Sequence, residues 1–362
     1  MVETGMQYRF LTIQYLRGVA AMLVLASHAL LYPLVGEHLF YSRLGWLGVI
    51  LFFVISGFIM VVVTGETRFS ARDFLRRRFI RVVPMYWMAT LVAAGLALAA
   101  PSLFKTTVYD GGQLVQSLLF IPFYNPASHG LHPLYKLGWT LNYEMFFYVC
   151  FALLAFLSVG ARVIWLTLGF ASLFVLGLIL HPQAAIPQFY TSFMPLAFCA
   201  GAWLGLATLR GTPGRISGLA AIGIALVGLA ALLEGFVWDN NLLEDGVAFI
   251  GFVVFAAALV LLAVRLEPHL PRLALLERLG DASYSIYLSH IYVVAILSGV
   301  AFKLLDPANL LADLLIAALT IAGGAAMGWL LYRRLEKPLL AVVSGLFGMR
   351  RKPVVPAPAP AE

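Results

Sequence analysis

Apolar positions gather into blocks of about 20 residues along this chain, and the polar residues fall between the blocks. At about 1.5 Å per residue, such a block crosses the roughly 30 Å of bilayer hydrocarbon as one helix. The pattern predicts ten spans, over residues 10–32, 45–64, 83–100, 139–158, 162–180, 192–209, 217–236, 246–264, 283–304 and 311–332. Leu114–Phe123 is also apolar but about half the required length, and it reads as a re-entrant or interfacial piece of a long loop. The expected fold class is an all-α integral membrane protein of about ten transmembrane helices. It forms a single membrane domain over 1–349, followed by a disordered Pro/Ala-rich tail over 350–362. Composition agrees: 62% of the 362 residues are hydrophobic and 11% charged, too little polar surface to cover a water-soluble globule.

Charge sets the expected orientation. With both termini cytoplasmic, nineteen of the 24 basic residues lie on the cytoplasmic side, Arg162 among them, and four lie outside: Arg43, Lys105, Lys136 and Lys303. The net charge of +7 therefore sits on loops where insertion rules and anionic membrane lipids account for it, and a nucleic-acid partner is excluded. Cys150 and Cys199 fall inside spans, with neither a disulfide framework nor metal-type spacing, so no metal is expected.

Two charges remain inside the predicted spans, Arg17 and Glu144. Ionised groups at that depth cost roughly 2.5–3.5 kcal/mol on insertion scales and mark function by default. Arg17 and His28 are eleven residues apart on the first span, about 20° apart around the helix and about 16 Å along it. One face thus presents a cation at one end and an imidazole at the other, although a snorkelling arginine and a packing histidine are the plainer alternatives. Glu144 enters about 7 Å below the outer surface and His28 about 6 Å below it. A carboxylate at the depth of an imidazole suits a general base that takes a proton from an attacking hydroxyl, whereas a pair that merely locks two helices is the structural alternative.

Arg72, Arg76, Arg77, Arg78 and Arg81 form a basic stretch at the cytoplasmic edge of the third span, with Pro84 where a helix would begin. Such guanidinium groups suit a phosphorylated cofactor, and they also satisfy topology or lipid binding alone. Ser56 with Gly57 allows close approach of a ligand or of another helix. His290 either faces a cavity or bonds a neighbour, and Gly324 with Gly328 reads as a helix-packing pair. His129 and His132, in the long outer loop, carry no assignment.

The segments YLRGVAAMLVLASHA, LGVILFFVISGFIM, FLRRRFIRVVPMYW, LGWTLNYEMFFYVCFALL and LGDASYSIYLSH, in this order, resemble the membrane acyltransferase-3 family, most closely its bacterial exopolysaccharide-modifying branch. The resemblance runs from about residue 10 to 340 and includes Glu336, Lys337 and Pro338 near its end. It implies an acyl-CoA donor, acetyl-CoA in the simplest case, entering from the cytoplasm. It also implies a saccharide or lipid-linked oligosaccharide acceptor whose hydroxyl is acylated in a multi-pass protein of the bacterial inner membrane.

Carried onto this sequence, the resemblance puts catalysis on His28 and Glu144 and donor binding on Arg17, Arg78 and Arg81, to which Ser56 is added. Acceptor contacts are expected from Trp139, Asn142, Tyr143 and His290. The alternatives from other classes are a transporter or flippase of a polysaccharide precursor, whose path intramembrane charges also mark, and a non-catalytic scaffold of an export complex.

Overall fold

The computed structural model describes residues 7–31, 39–100, 108–211, 218–237, 246–304, 310–348 and 354–356. Among these, thirteen α-helices follow one another: α1 Leu11–Leu31, α2 Leu39–Thr64, α3 Ala71–Ala99, α4 Gly111–Leu118, α5 Trp139–Leu153, α6 Val159–Leu180 and α7 Ala185–Tyr190. They continue with α8 Pro195–Leu209, α9 Gly218–Val237, α10 Gly246–Leu266, α11 Ala274–Leu304, α12 Leu310–Leu331 and α13 Lys337–Leu346. A π-helical turn, Tyr332–Glu336, joins the last two. A three-residue parallel ladder pairs Gln7–Arg9 with Val354–Pro356.

Seven helical segments among the described residues are long and apolar enough to cross a membrane. The other three expected spans fall on α9, on the second half of α11, and on α5, which at 15 residues is shorter than a straight crossing needs. Pro84 does not begin a helix. The Ser70 side chain accepts from the Asp73 N–H at 3.2 Å and starts α3 at Ala71, so Pro84 lies inside the helix. The basic stretch and the third span are thereby one continuous rod.

The chain divides into two compact units, Met1–Val63 with Ala200–Glu362, and Thr64–Cys199. In the first, Glu267 closes the start of α1: the Leu11 and Thr12 N–H groups donate to its two carboxylate oxygens at 2.8 Å, and Thr12 Oγ1 donates at 2.5 Å. A carboxylate here meets orphan amides and the positive end of the helix dipole together. Helix α1 packs on α11 through glycines. A Cβ on Gly280 would stand 2.1 Å from the Gln14 carbonyl oxygen, and one on Gly18 would stand 2.9 Å from the Gly280 nitrogen. The two backbones meet at that crossing because neither residue has a side chain. Gly324 and Gly328 act similarly on α12, where a Cβ on Gly328 would lie 2.5 Å from the Ile286 Cα, so the expected packing role of this pair holds. Between these helices Ala21, Leu25, Ala282, Ile286 and Val294 form a fully buried apolar cluster.

In the second unit the first half of the apolar piece expected to be re-entrant or interfacial lies in the eight-residue α4, capped by Asp110 and followed by Phe120 at φ 59°. Tyr86 and Trp87 of α3 donate to the carbonyls of Ser117 and Leu118 at 2.9 and 2.8 Å and hold it in place. Arg162 departs from the expectation of a charge on a cytoplasmic loop, because it is fully buried. Its guanidinium donates to Thr64 Oγ1 at 3.1 Å and to the Thr67 and Leu157 carbonyls at 2.9 Å, and lies 4.5 Å from the Phe69 ring centroid. One side chain thus ties the 64–69 connection to the turn before α6.

Arg162→Met keeps most of the aliphatic volume but removes the charge-assisted hydrogen bonds to two carbonyls and a hydroxyl, worth about 1.5–3 kcal/mol each. A clear fall in melting temperature is the expected result, only partly restored in Arg162→Lys, which lacks the planar fork. Unchanged melting of the methionine variant would show that Arg162 does not anchor these turns.

Candidate active site

Helices α1 and α11 run in the same direction, since successive partners advance together along both. Near the start, Gln14 Nε2 donates to Asp281 Oδ1 at 2.8 Å. One turn on, Arg17 reaches Gln14 Oε1 at 3.3 Å and Ser283 Oγ at 3.1 Å. Three turns further, His28 Nδ1 lies 3.2 Å from His290 Nε2, with the rings 5.0 Å apart. The Gly18 and Gly280 crossing lies beside the first of these rungs, and the close approach it allows brings the polar side chains within hydrogen-bonding distance. Arg17 and His28 therefore share one continuous helix, half-buried and about 16 Å apart, as their spacing predicts.

For a neutral imidazole pair, the hydrogen bonds assign the tautomers. His290, fully buried, has Nδ1 3.1 Å from the Ile286 carbonyl, which only accepts, so the His290 proton is on Nδ1 and Nε2 carries a lone pair. His28 Nδ1 faces that lone pair and, at 2.9 Å, the Val24 carbonyl. Both neighbours demand a hydrogen on His28 Nδ1. The basic lone pair of His28 is thus on Nε2, the form that accepts a proton from a hydroxyl. His290, expected to touch the acceptor or to bond a neighbour, lies beside His28 as its hydrogen-bonding neighbour. Its i, i+4 bond to Ile286 is local, but its pairing with His28 spans 262 residues and has no signature in the chain.

Sequence reasoning also overlooked Gln14, Asp281 and Ser283, polar residues whose value appears only when α1 meets α11. A signal existed in LGDASYSIYLSH, where Asp281 and Ser283 follow a glycine that has no reason to interrupt a helix unless something approaches it. Ser56 is half-buried on α2.

The second unit contains the other expected residues. Glu144 is half-buried on α5 and accepts a short hydrogen bond from Tyr148 one turn later. The Arg78 guanidinium of α3 lies 5.9 Å from the Tyr148 ring centroid and 6.0 Å from that of Phe74. Arg78 is thereby drawn toward α5 and the Glu144 turn, whereas Arg72 and Arg77 point to the exposed side. Arg81 follows on the next turn of α3, half-buried. Trp139, half-buried, meets Tyr143 edge-on at 5.9 Å. The Tyr143 hydroxyl donates to the Phe189 carbonyl at 3.0 Å and pairs with Ser192 Oγ at 2.8 Å, with the ring stacked on Phe189. Asn142 is buried beside it. In the connection between α4 and α5 His132 is buried, bonding Ser128 through Nε2 and the Pro133 carbonyl through Nδ1 at 3.1 Å. Burial there lowers its pKa below the ordinary imidazole value.

Residues 10–332 match the acyltransferase domain of the acyltransferase-3 family. The chain is 35% identical over 317 residues to the exopolysaccharide production protein ExoZ of Rhizobium meliloti, covering 84% of this chain and 94% of that protein. It is 26% identical over 378 residues to the acyltransferase MdmB of Streptomyces mycarofaciens, covering 96% of this chain and 94% of that one. No solved structure matches. With the match running from Phe10, just before α1, to Tyr332, the chain belongs to the acyltransferase-3 family and is a multi-pass membrane acyltransferase.

Proposed function

We propose that this protein moves an acetyl group from acetyl-CoA to a hydroxyl of a cell-surface or exported saccharide, with His28 as general base. The observation that supports this reading most directly is the imidazole pair. Taken as neutral, the pair leaves the His28 lone pair on Nε2, about 16 Å along α1 from a guanidinium held by Gln14 and Ser283. The similarity to an exopolysaccharide production protein supports a saccharide acceptor. The family match favours an enzyme over the transporter or scaffold alternatives. The reading puts the protein in a bacterial inner membrane.

In the proposed reaction the acceptor hydroxyl gives its proton to His28 Nε2 as its oxygen attacks the thioester carbonyl. The tetrahedral intermediate then expels the coenzyme thiolate, which recovers that proton from the imidazolium, and no covalent acyl-enzyme forms. Arg17 contacts the donor along its length. Glu144 is the second catalytic residue, Arg78, Arg81 and Ser56 serve donor binding, and Trp139, Asn142 and Tyr143 meet the acceptor. His290 acts through His28.

The test supplies the purified protein with radiolabelled acetyl-CoA and candidate exopolysaccharide acceptors. Label is expected to enter the saccharide with the wild type and to vanish with Glu144→Gln while the variant still inserts and melts normally. A folded Glu144→Gln protein that transfers at the wild-type rate would remove Glu144 from catalysis. Absence of any transfer with the wild type across acyl-CoA donors would reject the donor reading.

A further inference from the structure

A cleft of about 840 Å³ opens within the first unit, walled by the start of α11, the end of α12, the π-helical turn and α13. No expected site residue lines it. Its walls carry three cations, Arg278, Arg333 and Lys337, against one carboxylate, Asp281, and two aromatic rings, Trp329 and Tyr332. The Arg333 guanidinium lies 4.7 Å from the Trp329 ring centroid, so a flat cation is already layered on a flat ring.

The geometry of this wall is imposed by an uncommon backbone. Over Tyr332–Glu336 the helix widens, with the Lys337 N–H bonding the Tyr332 carbonyl five residues back. Glu336, buried in this turn, accepts from Ser285 Oγ at 2.6 Å and fastens it to α11. The buried carboxylate holds the turn, and the neighbouring Arg333 and Lys337 are left on the exposed side at the cleft. The cleft also touches the polar ladder, because Asp281 on its wall accepts from Gln14, the residue that in turn bonds Arg17. From there about 16 Å of α1 leads to His28.

Cations suited to phosphate, stacked planar groups suited to a nucleobase, and a volume of several hundred Å³ occur here together. We propose that this cleft seats the adenosine 3′,5′-bisphosphate end of the acyl-CoA donor, with Arg278, Arg333 and Lys337 on its phosphates and the Trp329 ring flanking the base. This rests on the acyl-CoA reading above. A phosphate alone comes equally from an anionic lipid headgroup, but a headgroup has no planar base to use the aromatic wall.

The experiment uses the full-length protein in nanodiscs of zwitterionic lipid and measures binding of adenosine 3′,5′-bisphosphate by equilibrium dialysis. Arg278→Ala and Lys337→Ala are each expected to weaken binding by about tenfold or more, with unchanged melting temperature because both side chains are exposed. A second measurement needs no variant: 8-azidoadenosine 3′,5′-bisphosphate is photolysed on the wild type and the labelled peptide mapped by mass spectrometry. Label between Trp329 and Lys337 supports the proposal.

Label on Arg72–Arg81 instead, or equal binding by wild type and both variants, overturns the cleft assignment while the acyl-CoA donor stands. Failure of the wild type to bind either the nucleotide or acetyl-CoA overturns both. If nanodiscs containing phosphatidic acid abolish the labelling while acetyl-CoA transfer continues undiminished, the cleft is a lipid headgroup seat and the proposal falls.

Discussion

Replacing His28 by alanine is expected to slow acyl transfer by about 10²–10⁴-fold, the usual contribution of a positioned general base. The loss belongs in kcat, because acetyl-CoA binding does not need the imidazole, and added free imidazole is expected to restore part of the rate. His290→Ala has a smaller predicted effect. The Val24 carbonyl, 2.9 Å from His28 Nδ1, still holds the hydrogen on that nitrogen when His290 is gone, so the reactive tautomer persists with a looser ring. An order of magnitude, about 1.4 kcal/mol, is the expected scale of that second loss. Radiolabelled transfer assays on folded, membrane-inserted variants read both numbers. Should His28→Ala retain the wild-type kcat, the base lies elsewhere and the imidazole pair is only a helix contact.

The second large effect is structural and begins at a residue with no side chain. Gly280→Ala puts a methyl group 2.1 Å from the Gln14 carbonyl oxygen, a backbone atom that cannot rotate away. Helices α1 and α11 must separate, and overpacking of this kind costs about 1–3 kcal/mol. The separation pulls Gln14 from Asp281 and Arg17 from Ser283. We therefore expect Gly280→Ala to lower the melting temperature and to raise KM for the donor together. Gly323→Ala is the control, since its added methyl would meet only side-chain carbons of Val293 and Leu297 at 3.5 and 3.9 Å. That substitution is predicted to be neutral or slightly stabilising, because alanine favours a helix by up to about 1 kcal/mol over glycine. Equal behaviour of the two variants in a thermal unfolding assay would mean the α1 and α11 crossing does not constrain the site.

These expectations separate what a linear reading reaches from what it misses. Length and hydropathy along the chain locate the helices, because a membrane interior accepts only segments that satisfy their own backbone hydrogen bonds. The boundaries moved where local chemistry outweighed hydropathy. Ser70 starts α3 well before Pro84, and Asp110 with Tyr86 and Trp87 sets the first half of an apolar loop piece in the short α4.

Arg17 and His28 are legible for a similar reason. They lie on one helix, so their separation follows from residue count alone, and a polar group amid apolar neighbours stands out. His290 is visible as an oddity but not as the partner of His28. Arg162 reads as one more loop cation, although its guanidinium fills a buried socket of two carbonyls, a hydroxyl and two aromatic rings.

The sequence by itself determined that this is a helical membrane protein and which single helix carries both a cation and an imidazole, since those properties depend on residue order and on short-range geometry, whereas the acyltransferase reading came from the resemblance of five ordered segments to a family. Only the tertiary structure decided which helices touch. Gly18 and Gly280 bring α1 against α11, and from that one close approach follow the Arg17 contacts, the imidazole pair and the direction in which the His28 lone pair is presented. Residues 262 positions apart are adjacent there because two backbones can meet where neither has a Cβ, and no local pattern encodes such a meeting.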